Sequence, residues 1–122
     1  MSPEQIAAGL AELPPPYNEG DYEAGRRIFM QCSSCHLIAD SPNRKSGPNL
    51  HGVYGAVSGH RENFNYSPAM RNAGLTWDAP TLDRYLENPR AAVPGTIMAF
   101  VGVRDPEQRR DLVAYLAIES KR

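Results

Sequence analysis

The sequence predicts an all-α fold of short helices and long loops, and three observations predict it. Ten glycines and eleven prolines in 122 residues are too many breakers for long elements. Val, Ile and Thr are scattered and no period-two alternation persists, which argues against a sheet. Finally, a Ser or Asp helix cap stands before most of the segments with helical apolar spacing. The length fits one domain. With 41 % hydrophobic residues and this many breakers, the chain struggles to bury enough apolar area alone. A bound apolar group that loops can wrap would fill the deficit.

The elements follow in order. Ser2-Pro3-Glu4-Gln5 reads as an N-cap, a proline at the first helical position and a reciprocal capping residue. Ile6, Leu10 and Leu13 give that helix an apolar stripe that needs a cover, best supplied by packing on protein. Pro14-Pro15-Pro16 ends it and predicts a stiff extended connector. A second helix begins after Asp21, with Gly25, Ile28 and Phe29 on one face. A short helix is expected over Pro68–Ala73, ended by Gly74. Asp78 caps another that turns Leu82, Tyr85 and Leu86 inward until Asn88-Pro89 breaks it. Asp105-Pro106-Glu107-Gln108 opens the last helix with the cap chemistry of the first, and Leu112, Tyr115 and Leu116 form its buried face.

A net charge of −1 argues against a nucleic-acid binder. No stretch has the length of a membrane span, and no signal peptide is present.

The chemistry is concentrated in Cys32-Ser33-Ser34-Cys35-His36, the C-x-x-C-H pattern of c-type haem attachment. On a helical turn the two thiols and the imidazole lie on one side. The thiols can form thioethers to the two vinyl groups of one haem, and His36 can reach its iron. These are the only cysteines, so one haem c per chain would use both. Two other readings compete. A redox dithiol needs a preceding strand, and Tyr22–Gln31 reads as helix. Zinc could take Cys32, Cys35 and His36 with His51 or His60, but adjacent Cys35 and His36 fit one tetrahedral ion poorly. Since haem c attachment usually occurs outside the cytoplasm, the chain is expected to follow a removed signal or anchor.

The second axial position separates electron transfer from ligand chemistry. Met30 is too close to the attachment turn to cross the ring, and His51 reads as a surface residue. His60 and Met70 are conceivable. Met98 lies in the turn-rich Pro94-Gly95-Thr96-Ile97-Met98-Ala99-Phe100, 62 positions after His36, far enough for the chain to pass around the ring. A core methionine filling a gap is the competing reading of Met98.

Ordered segments across residues 20–120 resemble class I cytochromes c. They are Gly20-Asp21 through Gly25 and Phe29, Cys32–His36, Gly47-Pro48-Asn49-Leu50-His51-Gly52, Phe64-Asn65-Tyr66-Ser67 and Leu75-Thr76-Trp77, followed by Tyr85-Leu86-Glu87-Asn88-Pro89, Pro94–Phe100 and Asp111-Leu112-Val113-Ala114-Tyr115-Leu116. The resemblance implies the class I fold wrapped around one haem, with residues 20–122 as the cytochrome c domain and residues 1–19 as an extension outside it. It selects Met98 as the second ligand opposite His36. Pro48 would offer its carbonyl to His36. Tyr66 and Trp77 would donate to one haem propionate and Thr96 to the other. Tyr85 would approach the Met98 sulfur, and the haem edge beside Met98 and Phe100 would pass the electron. Gly25 and Phe29 would pack against Leu112 and Tyr115.

The chain departs from the mitochondrial pattern at Ala56, Met70 and Ile97, where arginine, asparagine and lysine are usual. With less compensation of propionate charge, a lower reduction potential is expected. The resemblance also places Arg27, Lys45, Arg90 and Arg104 near the haem edge. With two lysines against eleven arginines, this is a thin positive rim. The implied function is single-electron transfer, with no enzymatic activity, between complexes such as a quinol–cytochrome c reductase and a terminal oxidase. The expected location is the periplasm, or alternatively the mitochondrial intermembrane space. The expected state is a monomer or weak oligomer. The alternative function is a ligand-binding or peroxidase-like haem protein in which Met98 is displaced.

Overall fold

A computed structural model describes all residues, Met1–Arg122. Six α-helices and one 3-10 turn form the structure: α1 (Pro3–Ala11), the 3-10 turn (Tyr17–Glu19), α2 (Tyr22–Phe29), α3 (Pro68–Asn72), α4 (Ala79–Glu87), α5 (Pro89–Ala92) and α6 (Pro106–Glu119). Extended pairing is limited to one isolated antiparallel bridge, Val57 with Thr76. No helix is long and apolar enough to cross a membrane.

The cap signals act where the sequence places them. Ser2 and Gln5 form a reciprocal capping box on α1, and Asp21, Ser67 and Asp78 accept the backbone N–H three residues on. Asp105 caps α6 through Glu107 and Gln108, but Gln108 does not reach back, so the caps of α1 and α6 differ. Asn88 ends α4 and its side chain caps α5, a helix of four residues that Asn88-Pro89 signals only as a break.

The core is built on α6, which packs against α1, the 3-10 turn, α2 and α4. Leu112, Val113 and Ala114 are fully buried. Where α2 crosses α6, Gly25 sits so close that a Cβ there would stand 2.2 Å from the Asp111 carbonyl oxygen and 2.7 Å from Tyr115 Cβ. Only a hydrogen fits, and the Phe29 and Tyr115 rings close the crossing at 5.3 Å between centroids.

Two expectations change. The α6 stripe of Leu112, Tyr115 and Leu116 is too narrow, because Val113, Ala114, Ala117 and Ile118 are buried as well. Part of the added cover comes from the N-terminal segment. Gly9 lies against Ile118, and Leu13 and Tyr17 are buried in the core. Pro14–Pro16 is therefore a turn and not an extended connector. It is closed by a 2.9 Å bond from the Tyr17 N–H to the Pro14 carbonyl, and its Pro15–Pro16 peptide is cis. Burial of Leu13 and Tyr17 decides the course of the chain here.

The loops leave one large cavity between residues 30–67, which contain no helix, and the α4–α6 side of the molecule.

Candidate haem site

The attachment segment continues from α2 as hydrogen-bonded turns. The N–H groups of Cys32 and Ser33 both donate to the Phe29 carbonyl, and those of Cys35 and His36 to the Cys32 carbonyl. This carries the two thiols and the imidazole on from α2 at a fixed angle. The thiols differ in setting. Cys32 is half-buried, and burial together with neighbouring Cys35 pushes its pKa up to about 11. Cys35 is exposed, and hydrogen bonds with Ser46 and Ser34 hold it below the ordinary value.

His36 is held on two sides. Its Nδ1 lies 2.7 Å from the Pro48 carbonyl oxygen. A Cβ on Gly47 would stand 2.5 Å from its Cε1 and 2.8 Å from Nδ1. Burial lowers the His36 pKa, with the Pro48 bond opposing it, which favours the neutral imidazole. With its proton donated from Nδ1 to Pro48, Nε2 keeps a free lone pair, the state a metal-binding histidine needs. Asn49 fixes this loop. Fully buried, it donates to the Ala39, Ser41 and Asn43 carbonyls and accepts from the His51 N–H at 2.8 Å.

The cavity measures about 350 Å³, and 14 of its 23 lining residues are hydrophobic, within the range of cofactor pockets. Cys35, His36, Pro48, Tyr66, Trp77, Tyr85, Thr96 and Met98 all line it. Phe100 does not. It is half-buried and packed against the core. Cys32 stands just outside the lining, also packed on the core.

The polar groups of the wall are ordered. The Tyr85 hydroxyl donates to Met98 Sδ at 3.5 Å and lies 3.0 Å from Thr96 Oγ1. Thr96 Oγ1 also accepts the Met98 N–H at 3.4 Å. Trp77 meets Tyr85 edge-on at 5.1 Å between centroids. Tyr66 accepts the Arg61 N–H at 3.1 Å. Arg61 itself turns away to the Ser41 carbonyl, whereas His60 lines the cavity. His51 is half-buried rather than a surface residue, with Nδ1 3.8 Å from Asp40. No group of three or more His, Cys, Asp or Glu side chains is arranged to hold a metal ion, so the zinc set does not assemble.

Leu50, Val53, Phe64, Leu82, Leu86 and Leu116 complete the apolar wall, and Met70 joins them. The sequence gives these residues no site role, apart from Met70 as a conceivable ligand. Helical spacing flags Leu82, Leu86 and Leu116 as core only, because one buried face serves protein and cofactor alike. Phe64 and Val53 lie in loops without period.

These residues fit haem c. The cavity is apolar, the His36 imidazole and the Met98 thioether line it together with His60 and Met70, and two thiols precede His36 in sequence. His60 Nε2 is shielded from solvent without a hydrogen-bond partner, a polar atom that an occupant can satisfy.

The chain matches the family model described as cytochrome c over residues 22–118. It is 46 % identical over 114 residues to cytochrome c2 of Rhodomicrobium vannielii, covering 93 % of this chain and 91 % of that protein. It is 44 % identical over 114 residues to cytochrome c type-1 of Ascaris suum, covering 93 % and 97 %. Among solved structures, cytochrome cH from Methylobacterium extorquens superposes with a TM-score of 0.74 at 40 % identity, covering 80 % of this chain and 97 % of that one. The chain belongs to the cytochrome c family. It is an all-α haem c protein, with the haem attached through Cys32 and Cys35, and its function is to carry electrons to and from redox partners rather than to transform a substrate.

Proposed function

We propose that the protein carries one electron at a time on a single haem c ligated by His36 and Met98. In this reading it moves electrons in the periplasm between a quinol–cytochrome c reductase and a terminal oxidase or a similar complex. The observation that carries the ligand assignment is the Tyr85–Met98 hydrogen bond in the cavity that His36 also lines. Of the other sequence candidates, Met30 is 65 % exposed and outside the cavity, and His51 does not line it. Met70 and His60 do line it, but no protein donor orients the Met70 sulfur.

When bound, haem c supplies an iron that accepts and releases one electron. The chain's residues set the conditions. Pro48 holds the His36 tautomer and makes the ring a stronger donor, which favours the oxidised state. The Met98 thioether is soft and neutral and favours the reduced state. Tyr85, donating to that sulfur, restrains it in both states, so little rearrangement accompanies transfer. Tyr66, Trp77 and Thr96 bring polar handles to an apolar wall, where haem propionates need donors. His60 stands in the cavity, while Ala56 provides no charge. Residues 20–122 form the haem-holding domain, and the N-terminal segment is an accessory to it. Arg27, Lys45, Arg90 and Arg104 are all exposed and give partners a thin positive rim. The periplasm is the reading taken, with the intermembrane space as the alternative, because the bacterial cytochrome c2 at 46 % identity stands slightly above the Ascaris suum protein at 44 %.

Replacing Met98 with alanine in the purified holoprotein tests the assignment. The weak far-red absorption band of the oxidised form should vanish, and the potential should fall by about 100 mV or more. An unchanged band and potential would transfer the ligand role elsewhere.

A further inference from the structure

Tyr17 lies in the N-terminal segment, ahead of the residues matched by the family model, yet it is buried. Its hydroxyl donates to Asp83 Oδ2 at 2.5 Å. The other oxygen of that carboxylate accepts from Arg109 Nε. Arg109 is itself buried, and its NH1 donates to the carbonyls of Val103 at 2.9 Å and Arg104 at 3.3 Å. The Val103 N–H in turn donates to the Leu86 carbonyl at 2.7 Å. Val103 and Arg104 end the segment that carries Met98. Its other end is held by Tyr85, which touches Thr96 and the Met98 sulfur. Helix α4 thus clamps both ends of the Met98 segment through Tyr85 and Leu86, and it meets the N-terminal segment through Asp83.

We propose that Tyr17 and Asp83 are positioning residues for the sixth-ligand segment. Through the chain Tyr17–Asp83–Arg109–Val103/Arg104, the N-terminal segment controls how readily the Met98 sulfur is released. The inference rests on the reading of Met98 as a ligand. Its physical basis is the satisfaction of a mostly buried carboxylate. With Tyr17 in place, both Asp83 oxygens are occupied and Arg109 is fixed in the one orientation that reaches both carbonyls. Without the hydroxyl, one oxygen is unpaired, and Asp83 and Arg109 can rotate toward solvent or toward Glu87, 4.0 Å from Arg109 NH1. Burial and the Asp83 carboxylate push the Tyr17 pKa well above its ordinary value, so the hydroxyl remains a donor.

The structure offers a matched control. Tyr22 also donates its hydroxyl to a carboxylate, that of Glu119 on α6, far along the chain from the Met98 segment. Tyr17→Phe and Tyr22→Phe each remove one hydroxyl and leave the ring packing intact. In the oxidised holoprotein, urea titrations should be followed by the far-red band, which reports the sulfur ligand, and by far-ultraviolet circular dichroism, which reports the fold. For Tyr17→Phe the band should be lost well before the helices, with the equilibrium constant for sulfur release raised about ten- to a hundredfold, as expected for loss of a hydrogen bond to a charged group. Tyr22→Phe should move both transitions together. Asp83→Asn should reproduce the Tyr17→Phe separation. Coincident transitions in Tyr17→Phe and Asp83→Asn, with a normal band in the parent, would overturn the positioning role alone. A parent without the band would overturn the ligand reading and this inference with it.

Discussion

Gly47→Ala is the sharpest probe of how the chain sets the electron affinity of its cofactor. A Cβ at residue 47 would stand 2.5 Å from His36 Cε1, 2.8 Å from Nδ1 and 2.9 Å from the Cys35 carbonyl oxygen. Ordinary contact needs about 3.4 Å, so ring and loop must part by about 1 Å. The His36–Pro48 bond of 2.7 Å has no such slack and stretches beyond hydrogen-bond range. The overpacking should cost about 1–3 kcal/mol of stability. The lost bond is worth about 1 kcal/mol, and its share in the redox balance has a definite sign. An imidazole that donates strongly from Nδ1 is a better electron donor to the metal and favours the oxidised form. Weakening that donation therefore raises the potential. At 59 mV per tenfold change for one electron, about 1 kcal/mol corresponds to roughly 40 mV as an upper limit. The assay is a spectroelectrochemical titration of parent and variant, with thermal unfolding alongside. A potential unchanged within about 10 mV, or shifted downward, in a folded and haem-loaded variant would refute the reasoning.

Four further outcomes follow from the same geometry. Gly25→Ala gains up to about 1 kcal/mol of helix propensity but forces α2 from α6, so calorimetry should show a net loss of about 2 kcal/mol. Tyr85→Phe removes the donor that draws density from the Met98 sulfur, so the potential should fall by roughly 20–60 mV; a rise would contradict the contact's role. Ala56→Arg should raise the potential in a redox titration, because it restores a charge usual in the mitochondrial pattern; an unchanged or lower value would contradict the expectation. Asp78 is held below the ordinary aspartate range, first by the Thr81 hydroxyl and then by the Thr81 N–H. A carboxyl depressed on folding contributes stability above its unfolded pKa and loses it as pH falls through the folded value; Asp78→Asn, which keeps a good cap, should flatten that acid loss in urea titrations between pH 5 and 2.

How much of this was legible in the sequence depends on the kind of signal. Caps are local, so Ser2, Asp21, Asp78 and Asp105 mark their helices directly. The attachment motif is local too, since two cysteines and a histidine in five residues specify their own chemistry. The class of the fold and its electron-carrying function followed from the ordered series of segments. What escaped was non-local. The turn at Pro14–Pro16 depends on where Leu13 and Tyr17 find cover, and that cover lies about a hundred residues downstream on α6. The burial of nearly all of α6 has the same origin. Phe100 falls outside the cavity because neighbours in a loop carry no period that fixes which side chain faces inward. Asn49 looks in the sequence like any loop asparagine, and only the three carbonyls converging on it reveal its task.

The central claim is that His36 and Met98 together hold one haem in the cavity. Proton–carbon NMR of the reduced holoprotein, with methyl-labelled methionine, tests it most directly. Of the four methionines, Met98 should give a methyl signal moved far upfield by the ring current of the haem it ligates. That signal should be absent from Met98→Leu and retained in Met70→Leu. Four methionine methyls all in the ordinary range, or an upfield signal that disappears with Met70 instead, would contradict the account.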